Sequence, residues 1–433
     1  MREEAVEMIL RGGRILDPER RIDRVGDVVI RDGHIQAVVW DPKDIVPSPQ
    51  ARVIDVTGKW VVPAWVDMHV HLREPGEEYK ETIATGTAAA VAGGFGAVAC
   101  MPNTHPVNDC AAVTEFIRRR AQEQGFCRVY PVAAISKGLK GQELSEFGEL
   151  REAGAVAVSD DGRPVTNAAL MRRALEYARA FDLVVISHAE DEALSRGGHM
   201  HEGLVSTRLG LQGIPAAAEA TMIARDVLLA ELTGGRLHIA HVSTEASVWI
   251  LREAKRRGIA VTCETAPHYF TLTDECVEGF DTVFKVNPPL RTRRDVEAVK
   301  EGLADGTIDA IATDHAPHSV LEKDTEFQDA ANGMIGLESA LPLVLSLIRD
   351  GVGDPLDILA KVTCNPSRIL GIPMGSLQPG FPAHVTVIDP EAEVVIDPEG
   401  FQSKGRNCPF RGWSGRGRVV MTLVDGLVRY PFR

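Results

Sequence analysis

The chain has 433 residues, too many for one small domain and enough for a barrel of about 250 residues plus a second unit. Apolar residues make up 44% and charged residues 25%, the balance of an ordinary globular protein, and apolar runs such as Leu341 to Leu345 are too short to span a bilayer. A formal net charge of −14 argues against nucleic acid or an anionic membrane as partner, while seven cysteines without paired spacing fit reduced core thiols rather than a disulfide frame.

The N-terminus, Met1-Arg2-Glu3-Glu4, turns acidic at once and carries no apolar signal core, so a cytoplasmic location is expected. Short strands follow: Met8 to Leu10, a turn at Gly12-Gly13, Asp27 to Ile30, a turn at Asp32-Gly33, then Ile35 to Val39. Asp-Gly between alternating apolar runs is a hairpin signal. From residue 60 the rhythm changes. Strand-like runs recur at Trp60 to His69, Ala97 to Met101, Val129 to Ile135, Ala155 to Ser159, Leu183 to Ser187, Leu237 to His241, Ala260 to Glu264 and Ile308 to Thr313. Between them lie amphipathic helical patterns at Ala111 to Gln124, Ala168 to Phe181, Ala216 to Leu232, Glu245 to Arg257 and Arg294 to Ala304. The C-terminal end returns to strands, His384 to Ile388, Val394 to Ile396 and Val419 to Val424, with a turn at Asp425-Gly426 before Val428.

Eight strands alternating with helices predict an α/β fold, a (β/α)8 TIM-type barrel over residues 61–371. The two β-rich ends, 1–60 and 372–433, predict one small β-sandwich domain built from both termini. A doubly wound open sheet is the rival, but it would usually place a Gly-rich phosphate turn after its first strand, where this chain has Asp67-Met-His-Val-His71.

Catalytic residues of such barrels sit where strands end. Read in order, those ends hold His69 and His71, then Asp160-Asp161, His188, His241, and Asp314 followed by His315 and His318. Side chains alternate along a strand, so Asp67, His69, His71 and Arg73 share the inward face, and Met68, Val70 and Leu72 the helix-facing side. Four imidazoles and two carboxylates at one mouth suffice for two metal ions with positions left for water; the donor set suits zinc best, with cobalt or manganese as substitutes. A single strand-end histidine is more often structural than a ligand; the full set on five strands is what points to metal. His199, His201, His238 and His384 lack that context and read as structural or exposed, and His268, after the seventh strand, as either structural or a support to the ligands. Along strand four the small residues Ala155, Ala157 and Ser159 alternate with Val156 and Val158, a parity that Asp161 continues and Asp160 does not. The stretch from Pro317 to Gly333, charged and ending in glycine, is expected to fold over a bound substrate as a lid.

At these residues the chain resembles the amidohydrolase superfamily, and within it most closely the bacterial type I dihydroorotases. The likeness runs over nearly the full length: Asp67-x-His69-x-His71-x-Arg73-x-Pro75-Gly76, Met101-Pro-Asn103-Thr104, Ser159-Asp-Asp161-Gly162, His188-Ala-Glu190, Ala240-His241-Val-Ser243, Asn287-Pro-Pro-Leu-Arg291, Thr313-Asp314-His-Ala-Pro-His318, Gly336-Leu-Glu338 and Pro409-Phe-x-Gly412. The resemblance implies a zinc enzyme interconverting N-carbamoyl-L-aspartate and dihydroorotate in pyrimidine biosynthesis. It implies two zinc ions per subunit, one on His69, His71 and Asp314, the other on His188 and His241, bridged by a strand-four carboxylate and a hydroxide; alignment by spacing favours Asp161. Asp314 takes the part of general base and acid. Arg73, Asn103 and His318, beside His71, receive the substrate carboxylate, and Asn287 with Asn332-Gly333 borders the ring. A homodimer and an association with aspartate transcarbamoylase are compatible with the resemblance.

The chain departs from relatives that bridge their metals with a carbamylated lysine, hydantoinases among them. Lys140 is the closest lysine before strand four. Where the family pattern is Pro-Phe-Gly, the chain reads Ala331-Asn332-Gly333. Two rival readings stand beside the dihydroorotase one: a hydantoinase or allantoinase, and a catalytically silent scaffold for aspartate transcarbamoylase.

Overall fold

The structure is a computed structural model that describes residues 7–432; the acidic start, Met1 to Glu4, lies outside them. Eight strands, Trp65–Val70, Phe95–Cys100, Arg128–Ala133, Ala157–Ser159, Val184–Ser187, Leu237–Ile239, Val261–Thr265 and Ala310–Ile311, follow one another around a single sheet in chain order. Neighbours pair in parallel. The circle closes where Val70 bridges His315 and the His71 N–H donates to the His315 carbonyl at 2.9 Å. This is the TIM-type barrel.

Parallel strands covered on both faces carry nearly continuous apolar runs. Here the two faces separate into two packed clusters. Val66, Met68, Ala97, Ala99, Val132, Val184, Ile186 and Ala310 fill the barrel interior, while Val70, Val98, Val158 and Val185 pack against the surrounding helices. Met68 therefore corrects the simple alternation, which puts it outside with Val70 and Leu72. The pairing register shifts between Asp67 and Val70, and such an irregularity re-aims the side chains that follow it.

Helices Ala111–Gln124, Ala168–Arg179, Ala216–Thr233, Glu245–Arg256 and Arg293–Ala304 lie where the apolar period puts them, within two residues. Among the further helices that escape that reading, two are ten residues long. Ile83–Ala92, sequence IATGTAAAVA, is buried over most of its surface, and Ala340–Arg349 is apolar through most of its length. A helix buried on most sides has no polar stripe to betray its period. Among the described residues no helix is long and apolar enough to cross a membrane.

The two chain ends meet in one eight-stranded sheet. Its path runs Leu427–Tyr430, Ser414–Val424, Val385–Val395, Trp60–Pro63, Met8–Asp17, Ile22–Arg31, His34–Val39, and Arg52–Asp55 pairs beside Met8. Its own apolar cluster, with Leu10, Ile15, Val28, Ile30, Val61, Val385, Val387 and Leu423, comes from strands of both termini, which join in this one sheet. The run from Trp60 to His69 divides: Trp60–Pro63 joins this sheet and Trp65–Val70 starts the barrel. Asp32-Gly33 and Asp425-Gly426 form two-residue hairpin turns with positive φ at both positions (51° and 74°, 53° and 74°). Gly12-Gly13 is not a turn. Met8–Asp17 is one strand that bulges there, with Gly12 at φ 75° and its N–H donated to Asp27 Oδ1 at 2.8 Å. Val394 likewise belongs to the long strand Val385–Val395.

Candidate metal centre and adjoining cavity

Each barrel strand delivers its C-terminal side chains to the same mouth. His69 is the penultimate residue of the first strand and His71 follows its end; Asp161, His188 and His241 stand one or two residues beyond the fourth, fifth and sixth; Asp314 stands three beyond the eighth. His241 and Asp314 both take positive φ, 38° and 50°, strained backbone of the kind found where a side chain must be aimed.

The six side chains converge. Asp161 lies at the centre: its Oδ1 is 3.3 Å from His69 Nε2, 3.4 Å from His188 Nδ1 and 3.7 Å from His241 Nε2, and its Oδ2 is 3.6 Å from His71 Nε2. Asp314 Oδ1 lies 3.2 Å from His71 Nε2 and 3.5 Å from His69 Nε2. Two triads suited to a metal ion result, His69-His71-Asp161 and Asp161-His188-His241, and they share Asp161. Zinc bonds near 2.1 Å in tetrahedral geometry put neighbouring donor atoms about 3.4 Å apart, which matches most of these separations. His69 Nε2 and Asp161 Oδ1 are buried without a hydrogen-bond partner. Such a pair costs about 1–3 kcal/mol per atom unless something fills it. The residues fit a pair of divalent ions.

The electrostatics agree. Asp161, Asp314 and Glu264 are buried and Glu190 half-buried around four imidazoles, so the centre is strongly anionic when the rings are neutral. Burial resists the charge on Asp161 and Asp314, but the neighbouring His69 and further imidazoles hold both carboxyls well below the usual range. Burial also opposes a charge on His188, yet Asp161 and Glu190 push it up to about 10.

A second layer fixes the rings. His69 Nδ1 donates to Glu264 Oε1 at 2.9 Å, His71 Nδ1 to Asn103 Oδ1 at 2.9 Å, and His188 Nε2 lies 3.3 Å from Glu190 Oε2. Each bond assigns the proton to the outer nitrogen and leaves the inner lone pair free for a metal. Glu264 Oε2 in turn faces His238 Nε2 at 3.5 Å. His238, read from sequence as lacking any such context, is thus a buried neighbour of the ligand support. Glu264 is the penultimate residue of the seventh strand, one of three barrel strands, with the second and third, whose ends bear no candidate ligand, and nothing in its immediate sequence singles it out.

Asp160 faces the other way. Its side chain accepts from the Ser136 N–H at 2.9 Å and from the Ser136 hydroxyl. Asp67 shares the inward side only in part; it accepts from the Thr313 N–H and hydroxyl at 3.1 and 2.5 Å, tying the first strand to the eighth. His268 is buried on the ring of Tyr269 with Nε2 unpartnered, and burial lowers it to about 4. His201 approaches Arg291 and His384 approaches Asp425, both away from the cluster.

A cavity of about 190 Å³ opens onto the two triads. Arg73, Asn103, Asn287, His318, Asn332 and Gly333 form its walls beside His71, Asp161, His188, His241 and Asp314, so every residue expected at the site comes together. The Arg73 guanidinium is 8% exposed and held by Nε donating to the Pro317 carbonyl at 3.2 Å. Asn103 spends its oxygen on His71, which leaves its amide N–H groups for the cavity. His318 donates from Nε2 to the Asn332 carbonyl at 2.8 Å, and burial next to Arg73 lowers its ring to about 3, so it is neutral. Asn287 donates to Glu190 at 2.8 Å. The Gly333 N–H is already given to the Lys285 carbonyl at 2.9 Å, so this glycine borders the cavity without offering that donor. The stretch expected as a lid carries a helical turn, Val320–Lys323, and is docked: Glu322 meets Lys80 at 2.9 Å, and Lys323 donates to the carbonyls of Thr282, Lys285 and Ala331.

Against known proteins, the Dihydro-orotase-like family model matches residues 58–247. A dihydroorotase of Syntrophobacter fumaroxidans is 62% identical over 427 residues, covering 98% of this chain and 96% of that protein. One from Syntrophus aciditrophicus is 53% identical, covering 98% and 99%. Among solved structures, an L-hydantoinase (dihydropyrimidinase) from Arthrobacter aurescens superimposes with TM-score 0.87 at 25% identity over 97% of this chain and 95% of that one. A dihydropyrimidinase from Brevibacillus agri follows at TM-score 0.84 and 21% identity, with 98% and 95% covered, a likeness of fold.

Proposed function

Because this chain belongs to the dihydroorotase family and is a hydrolase of cyclic amides, we propose that its six convergent ligands hold two zinc ions bridged by Asp161, and that the adjoining cavity takes dihydroorotate. The reaction interconverts dihydroorotate and N-carbamoyl-L-aspartate. The observation that carries the reading is the shared carboxylate: one buried aspartate is a member of both triads, and a buried arginine stands on the wall of the same cavity.

Ions of this kind supply water that ionises near neutral pH and an electrophile for a carbonyl. The chain's own residues do the rest. Arg73 offers a planar fork to the substrate carboxylate, and the Asn103 amide and the His318 ring complete that end of the cavity. Held there, the ring turns its amide towards His71 and Asp314. Asp314 accepts the proton of the attacking water and passes it to the leaving ring nitrogen; in ring closure the same carboxylate moves the proton back. Asn287, tied to Glu190, and the Asn332-Gly333 turn enclose the ring. An anion-binding end separates this site from a hydantoinase, whose neutral substrate needs no guanidinium, and the complete ligand set speaks against a silent scaffold.

Metal content of the purified protein, with turnover on dihydroorotate and on an uncharged dihydropyrimidine, tests the reading. Loss of a charged partner in a closed site costs about 2–5 kcal/mol, so Arg73→Met should lower dihydroorotate turnover by roughly 30-fold or more at about 1.36 kcal/mol per tenfold, with zinc retained. Equal turnover of the uncharged ring by the unaltered protein, or no effect of Arg73→Met, refutes it. We further propose a cytoplasmic location, and an assembly with a second copy of the chain or with aspartate transcarbamoylase, which sedimentation of the protein alone and mixed would detect.

A further inference from the structure

Between the strands Val385–Val395 and Ser414–Val424 the chain leaves the terminal sheet and reaches the loop that walls the barrel mouth. Two carboxyls anchor it there. Glu81 accepts from the Ser403 hydroxyl at 2.5 Å and the Lys404 N–H at 3.2 Å, and Glu338 from the Gln402 N–H at 2.9 Å. A few residues on stands Asn407, 7% exposed. Its Oδ1 accepts the His318 N–H at 3.2 Å, and its Nδ2 donates to the carbonyls of Ala316 at 3.0 Å and Gly333 at 3.1 Å. A primary amide has two donor hydrogens and one oxygen, and each is engaged.

The partners have a pattern. Ala316 and His318 open the loop that walls the cavity, and Gly333 closes it. Pro317, between the first two, supplies the carbonyl that orients the Arg73 guanidinium. One buried amide therefore joins the two ends of the loop and sets both the position of His318 and the acceptor that aims Arg73. The loop's middle is held independently by Lys323, whose ammonium donates to the carbonyls of Thr282 at 3.0 Å, Lys285 at 3.1 Å and Ala331 at 2.7 Å.

We propose that Asn407 is a positioning residue for the substrate carboxylate, acting through the loop ends at Ala316, His318 and Gly333. The inference rests on the reading that Arg73 and His318 receive that carboxylate. Asn407 touches none of the candidate metal ligands, so its removal should disturb carboxylate binding and leave the ions in place.

The experiment measures kcat, KM, zinc content and Tm of the zinc-loaded full chain for Asn407→Ala, Asn407→Asp, Asn407→Ser and Arg73→Met. Asn407→Asp keeps the acceptor for His318 but sets a carboxylate against two carbonyls. Misplacing binding groups by a fraction of an ångström to an ångström costs tenfold to a hundredfold, so Asn407→Ala and Asn407→Asp should raise KM for dihydroorotate about tenfold or more. Zinc content and kcat should stay within about twofold of the unaltered protein. A merely structural role would lower Tm and the active fraction and leave KM where it was, which overturns the proposal. Should neither Asn407→Ala nor Asn407→Asp fold, Asn407→Ser decides, because its single hydroxyl cannot join both ends of the loop: a raised KM with zinc retained supports the proposal, an unchanged one refutes it. If Arg73→Met also leaves KM unchanged, the carboxylate reading itself fails; if Arg73→Met raises KM and Asn407→Ala does not, only this inference falls.

Discussion

Replacing Glu264 by glutamine tests how the barrel prepares its first ion site. Glu264 is 1% exposed and accepts from His69 Nδ1 at 2.9 Å, with His238 Nε2 at 3.5 Å from its other oxygen. Burial opposes its charge, but the bond from His69 and the nearby His238 ring hold it down to about 2, so it is a full anion at neutral pH. That anion makes His69 a better donor and fixes the tautomer whose Nε2 faces Asp161. Glutamine keeps the shape, loses the charge, and in one of its two orientations presents an N–H to His69 Nδ1, moving the ring proton to the metal side. Loss of such a support costs about 10- to 100-fold in metal affinity, or about 1.4–2.7 kcal/mol at 1.36 kcal/mol per tenfold. Titration of the metal-free protein with cobalt, followed by its absorption bands, should show one weakened ion and one unchanged, because His188 and His241 make no bond to Glu264. The reasoning is refuted if both ions weaken equally or if neither does.

The two neighbouring aspartates should separate cleanly: Asp161→Asn should lose binuclear metal binding and nearly all turnover, while Asp160→Asn, which alters only the Ser136 contact, should keep both ions; equal zinc loss by elemental analysis would defeat the assignment. Glu322 is expected to contribute to acid stability through Lys80. Burial raises its carboxyl, but Lys80 and Ser319 outweigh this and hold it at about 2 against an ordinary 4.5. A depressed carboxyl stabilises the fold above about pH 4.5 and loses that contribution as pH falls towards 2. Lys80→Met should therefore be less stable than the unaltered protein at neutral pH, with the difference in urea midpoint shrinking below pH 4; a constant difference would count against it. Gly76→Ala should distort the turn that carries Arg73. Gly76 has φ +101° and an added Cβ would stand 1.9 Å from the His105 carbonyl oxygen, so a loss of about 1–2 kcal/mol from backbone strain alone should appear in thermal melts, along with a raised KM; unchanged melting would refute the conflict.

Much of the site was legible along the chain because a parallel barrel turns sequence order into position. Each strand end arrives at the same mouth, so His69, His71, Asp161, His188, His241 and Asp314 could be collected one strand at a time. Strand parity distinguished Asp161 from Asp160, and the hairpins at Asp32-Gly33 and Asp425-Gly426 followed from their need for positive φ. The same local rules failed where context decides. Gly12-Gly13 reads as a turn, yet pairing with Ile22–Arg31 absorbs it as a bulge. Met68 alternates outward on paper, yet a register shift turns it into the barrel. The helix Ile83–Ala92 shows no stripe because it is buried over most of its surface.

What sequence alone determined about this protein is the identity and order of the groups that could meet a metal, since those depend on residue type and on a repeat of strand and helix. Tertiary structure decided which other groups hold them. Glu264, Glu190 and Asn407 act across 195, 2 and 89 positions of chain on His69, His188 and His318 respectively. Only the nearest of the three lies within a recognisable motif. Hydrogen bonds of this kind are set by distances of about 3 Å in space, and no spacing along a chain encodes a contact between residues that the fold alone brings together.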